Sequence, residues 1–176
     1  EVFSPTNQAR LFMTVRHPVE REFAKFRTMK KSKNNSPLST HEKNTMTYKM
    51  FAYSDHVSDN WMTRTLVQKD EYEPLTANDM HTSKEILRRK AVIGLYDDMN
   101  AAVLHFARYF GWDHALLGGQ LNEVMVSCID NAISVGIEKD IYGAFDLVEE
   151  DAKEGSVAWQ RILDKNKFDL ELFLYS

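Results

Sequence analysis

Arg16 closes the short apolar run Leu11–Arg16, and Pro18 follows two positions later. Val19, Phe23 and Phe26 then recur at helical spacing. A strand that ends in arginine and turns directly into a proline-started helix can hold an anion. The helix start presents N–H groups and the positive end of the helix dipole. The guanidinium adds a planar fork of donors that matches a phosphate, and ligands of open α/β sheets gather at the carboxyl ends of strands. A surface ion pair is the competing reading of Arg16.

Other residues with chemical potential are less constrained by their spacing. The six histidines, at 17, 41, 56, 81, 105 and 114, include no i,i+4 pair and no HExxH pattern, so no metal is expected. His41 or His56 could act as a base, with a loop position as the alternative. Lys25, Arg27, Lys30, Lys31 and Lys33 cluster in sequence, either as a solvated basic face or as a surface that meets an anionic ligand. Cys128 is the single cysteine, which rules out an internal disulfide and a CxxC metal knuckle; within Val124–Ile133 it reads as a buried thiol. Trp61, Trp112 and Trp159 read as core anchors.

Charge is unevenly spread. The chain of 176 residues has a net charge of −4, yet residues 1–50 carry ten Lys/Arg against four Asp/Glu. A basic N-terminal part suits a phosphate-rich ligand. The acidic remainder, and the lack of a recognised motif, argue against nucleic-acid binding. No apolar run is long enough for a transmembrane helix, and no signal peptide is visible at the N-terminus.

These residues need elements to position them. Leu11–Arg16 reads as a buried strand, and a helix runs from Pro18 to about Lys31. Lys30–Thr47 is polar and reads as a surface loop, with an Asn34-Asn35-Ser36 glycosylation tripeptide. Ser58–Asn60 can cap a helix through Val67. Leu75–Asp79 reads as a turn, with a helix starting at Thr82 or Ser83 and Glu85 placed for a capping box. Ala91–Leu95 reads as a second buried strand. Asp97 and Asp98 then precede an amphipathic helix with Met99, Ala102, Val103, Phe106 and Phe110 on its apolar face and Gly111 as C-cap. Helices are also expected over Leu121–Val135, Asp140–Lys153, after Ser156, and over Phe168–Tyr175. The total, two short strands and roughly seven helices, is an α/β fold in which helices dominate.

Val15-Arg16-His17-Pro18-Val19-Glu20-Arg21 resembles the element of PAPS-dependent sulfotransferases in which a strand ends in Arg-Asp-Pro-x-x-Arg. Three further segments are similar to the carbohydrate, membrane-type branch of that family, and they fall in the expected order. They are Asn60-Trp61-Met62-Thr63-Arg64-Thr65-Leu66, then Val92-Ile93-Gly94-Leu95 with its helix ending Phe110-Gly111-Trp112, then Ile162 with Asn166, Phe168-Asp169 and Leu172. The resemblance spans about residues 8–175. It implies a partial, P-loop-like sulfotransferase fold with few short parallel strands, and one domain over 1–176 in which 114–154 is a helical insertion. It also implies PAPS or PAP as cofactor, with Arg16 on the 3′-phosphate and Arg21 and Arg64 as further cofactor-binding residues; for Arg64 a structural ion pair is the alternative. The activity implied is sulfuryl transfer to a glycan hydroxyl, and the compartment the Golgi lumen. Two positions depart from the pattern: His17 replaces the usual Asp, and Ala24 replaces a Ser whose hydroxyl binds the same phosphate. The family's phosphosulfate loop belongs upstream, and Ser4-Pro5-Thr6-Asn7 is not such a loop. The chain is therefore expected to be either the C-terminal part of an enzyme or a degenerate, inactive subunit that interacts with protein partners.

Overall fold

The computed structural model describes residues 11–32, 36–111 and 152–176, with isolated positions at 127, 131 and 134. Strand β1 (Leu11–Val15) leads into helix α1 (Pro18–Lys31), followed by the short helices α2 (Thr40–Thr45), α3 (Tyr48–Ala52) and α4 (Trp61–Val67). Helix α5 (Ala77–Lys90) returns the chain to strand β2 (Ala91–Leu95). A single 3-10 turn (Tyr96–Asp98) opens α6 (Met99–Phe110). The described chain resumes in α7 (Val157–Lys165) and α8 (Lys167–Tyr175). Helices dominate, and the two strands form a parallel pair with Leu11 opposite Ala91 and Val15 opposite Leu95.

The sheet is covered on both faces, as parallel sheets generally are. Val92 packs with Ala102 and Phe106 of α6, and the Phe12 ring lies 5.4 Å from that of Phe106. Gly94 makes this approach feasible: a Cβ placed there would sit 2.3 Å from the Ala102 Cβ. On the opposite face Val15, Met62, Met80, Leu87 and Leu172 form a core with Met13 and Ile93 packed against it. A third core joins α1 to α3 and α7 through Val19, Phe23, Phe26, Phe51, Trp159 and Ile162. The strands are not wholly buried as their apolar runs suggested: Phe12 is 55% and Leu95 48% exposed.

Local capping explains several element boundaries. Ser39 and Glu42 form a capping box that starts α2 inside what reads from sequence as a loop. Thr76 and Asp79 form another, so α5 begins at Ala77 rather than at Thr82 or Ser83. Lys69 and Thr76 hold the Asp79 carboxyl down to about 2. Asp98 caps α6 through the Ala101 N–H, and Gly111 ends that helix at φ +68°. Cys128, Asn34 and Asn35 of the tripeptide, Trp112, and nearly all of Leu121–Val135 and of the 114–154 insertion lie outside the described residues.

Candidate anion site at the carboxyl ends of the strands

The parallel register sets the chain just after Val15 beside the chain just after Leu95. Arg16 and Tyr96 therefore leave the sheet together. The Arg16 guanidinium lies 4.4 Å from the centroid of the Tyr96 ring, a cation–π distance. Its Nε is 3.5 Å from Oε2 of Glu20, one turn into α1, and the side chain is only 11% exposed. Burial pushes the Glu20 pKa up, Asp97 adds to the shift, and Arg16 opposes it.

His17 is the N-cap residue of α1, but its own side chain makes no capping hydrogen bond. The imidazole instead stacks on Trp159, with centroids 5.1 Å apart and planes at 22°, and meets the Phe173 ring edge-on at 5.5 Å. Its Nδ1 is buried with no hydrogen-bond partner among the described residues. Burial lowers its pKa, with Glu154 and Asp97 opposing. The strand ends thus combine one guanidinium, a helix N-terminus that the His17 side chain leaves uncapped, and the acids Glu20 and Asp97. An incoming phosphate would meet matched donors, and would have to displace Glu20 from Arg16.

Arg21 and Arg64 lie elsewhere, at either end of one polar network. Arg21 Nη1 donates to Asp169 Oδ2 at 2.8 Å, and Nη2 to Asn166 Oδ1 at 3.2 Å. Asp169 is fully buried and accepts from the backbone N–H groups of Met62 and Thr63, at 2.9 and 2.8 Å, and from the Thr63 hydroxyl at 2.7 Å. It caps the N-terminus of α4. In return Asn60, the N-cap of α4, uses Oδ1 to accept from the N–H groups of Phe168 and Asp169, at 2.8 and 3.1 Å, in the first turn of α8. The two helices cap each other. Asn60 holds φ +47°, a left-handed conformation that asparagine tolerates better than most residues. Its amide also donates to Asp59, which pairs with Arg64. Arg64 further binds the backbone carbonyls of Asp59 and Glu73, at 2.9 and 2.7 Å, and so pins the loop after α4.

Of the three arginines singled out from sequence, only Arg16 stands at the strand ends. The guanidinium groups of Arg21 and Arg64 are engaged by acids and carbonyls of the fold. Asn60, Thr63, Arg64, Asn166 and Asp169, drawn from two separate motifs, meet in this one network. Of the other candidates, His41 is exposed on α2. His56 lines a polar cavity of about 580 Å³ with Lys25, Asp59, Tyr72 and Lys165. Trp159 is a core residue as expected, but Trp61 is 55% exposed, with Arg21 5.7 Å from its ring centroid. Glu20, Tyr96 and Asp97 were not foreseen at the site, because only the strand pairing brings Tyr96 and Asp97 to Arg16. Among the described residues no cluster of His, Cys, Asp and Glu could hold a metal ion. None of their helices is long and apolar enough to cross a membrane. No protein-family model, curated protein or solved structure matches the chain.

Proposed function

We propose that the chain is a sulfotransferase-like domain that holds the 3′-phosphate end of PAPS, or of its product PAP, at the β1–α1 junction. One observation carries this reading. Arg16 stands at the carboxyl end of a parallel strand, stacked on Tyr96, next to the start of a 14-residue helix whose N-cap residue, His17, does not cap it through its own side chain. The convergence of the Asn60–Arg64 and Asn166–Asp169 segments on one network supports the resemblance on which the cofactor is named. The reaction would be sulfuryl transfer to a glycan hydroxyl. It needs further donors on the transferring group and a base for the acceptor proton, which the phosphate grip does not supply.

A second reading has its own support: an inactive structural or interaction subunit built on the same fold. Arg21 and Arg64 serve the scaffold, Ala24 offers no hydroxyl, and Glu20 already occupies Arg16. Calorimetric titration with adenosine 3′,5′-bisphosphate and with adenosine 5′-phosphate tests the first reading. It expects the bisphosphate to bind tighter by about tenfold or more, the contribution of a charge-assisted pair of hydrogen bonds. Equal affinities, or no binding of either nucleotide, would favour the inactive subunit.

A further inference from the structure

Among the described residues β2 has one neighbouring strand, β1, so the backbone groups along its other side meet no described strand. That side borders a groove of about 390 Å³. The groove is lined by the successive residues Ala91, Val92 and Ile93, by Tyr109 of α6, and by Leu87 of α5 and Tyr175 of α8. Helix α6 packs on one face of the sheet, and Leu87 belongs to the core on the opposite face. A groove bordered by consecutive strand residues and by helices from both faces follows the edge of the strand. Edge strands that stay single are usually guarded by lysine, proline or a bulge. Ala91-Val92-Ile93-Gly94-Leu95 has no charged residue and no proline, pairs with β1 in unbroken register, and leaves Leu95 48% exposed.

The two ends of this strand differ in charge. Arg88, Arg89 and Lys90 stand immediately before it, and Asp97 and Asp98 follow Tyr96 just after it. Glu85 pairs with both Arg88 and Arg89 and offsets one of the three positive charges, so the sign at each end is kept. Arg89 and Asp97 are exposed. An edge that is positive at its start and negative at its end complements its own copy run antiparallel. A two-fold axis at Ile93 sets Ala91 of one copy opposite Leu95 of the other, and brings the basic end of each strand to the acidic end of its counterpart. A parallel arrangement would set like charges together, and a two-fold does not generate it. We propose that β2 pairs antiparallel with β2 of a second copy of this chain, which joins the two sheets into one of four strands in the order β1-β2-β2-β1. The pairing does not depend on the sulfotransferase reading.

Sedimentation equilibrium of the full chain from about 1 to about 100 μM, the range in which micromolar association shows, tests the pairing. The expected result is a monomer–dimer equilibrium. Leu95→Lys places a charge on the exposed edge and should weaken the dimer by about tenfold or more. Arg89→Glu alone and Asp97→Arg alone each set like charges together twice across the two-fold, and each should weaken it by about tenfold. The protein carrying both changes should recover most of that loss, which a folding defect would not do. Amide hydrogen exchange locates the contact: exchange within Ala91–Leu95 should slow as protein concentration rises. A monomer throughout the range, a dimer indifferent to Leu95→Lys, no recovery in the doubly changed protein, or slowed exchange only outside β2 would overturn the proposal.

Discussion

Arg16 and Asp169 mark the two kinds of charge in this molecule. Asp169 is wholly buried, and the Arg21 guanidinium, the Thr63 hydroxyl and two backbone N–H groups depend on it. Asp169→Ala would leave the Thr63 hydroxyl, two backbone N–H groups and one prong of the Arg21 guanidinium without this acceptor, at a cost of about 3–5 kcal/mol. Urea denaturation of the variant should show a loss of that size, where an exposed ion pair such as Lys84–Glu171 would give less than about 1 kcal/mol. Arg16, by contrast, is held by Glu20 at 3.5 Å and by a ring face, contacts a ligand can replace. The raised pKa of Glu20 sets the sign of its pH dependence. The native state binds this proton more tightly than the unfolded chain does, so Glu20's contribution to stability rises as pH falls through the raised value toward 4.5. The same protonation releases Arg16. Adenosine 3′,5′-bisphosphate should therefore bind Glu20→Gln more tightly than the unaltered protein near pH 7, with the gap narrowing as pH falls through the raised pKa of Glu20. Comparing the two proteins at each pH removes the ligand's own titration, and a gap that does not change with pH would count against Glu20 as the competitor.

At the scale of elements, the parts that could be read from sequence are those whose signals are local. The run Leu11–Val15 and the proline after it announce β1 and α1. Ala91–Leu95, Asp98 and Gly111 announce β2 and both ends of α6, and Ser156 announces α7. Helix α2 was hidden because Ser39 and Glu42 sit in a polar stretch with no apolar periodicity, and α2 buries none of its own residues. The early start of α5 went unread because Thr76 and Asp79 resemble a turn until Lys69 and the capping box are seen together. Mutual capping of α4 and α8 was unreadable in principle, since its partners lie more than 100 positions apart. The anion site was legible only in half: Arg16 and the helix start are local, whereas Tyr96, Glu20's burial and Asp97 arrive with the fold. Gly94 offers a test at this scale. Because its missing Cβ makes room for Ala102, Gly94→Ala should force β2 and α6 apart at about 1–3 kcal/mol, the usual cost of overpacking. A melting temperature equal to that of the unaltered protein would contradict the close approach.

The described residues form a helical assembly around a two-stranded parallel sheet, with three apolar cores. Its polar networks tie distant parts of the chain: Arg21 to Asp169 and Lys165 to Val57 both bring α1 or the loop before α4 onto the C-terminal helices. Such ties, with the packing of Trp159 and Ile162 on α1, give α1 a fixed direction relative to the sheet, and hence a fixed N-terminus beside Arg16. The central claim is that this fixed junction grips a phosphate. It is tested most directly by titrating adenosine 3′,5′-bisphosphate into the unaltered protein, Arg16→Lys and Arg16→Ala. Arg16→Lys keeps the charge but loses the two-pronged contact and should bind with intermediate affinity; Arg16→Ala should lose about tenfold or more. Binding of the same strength in all three proteins would contradict the account.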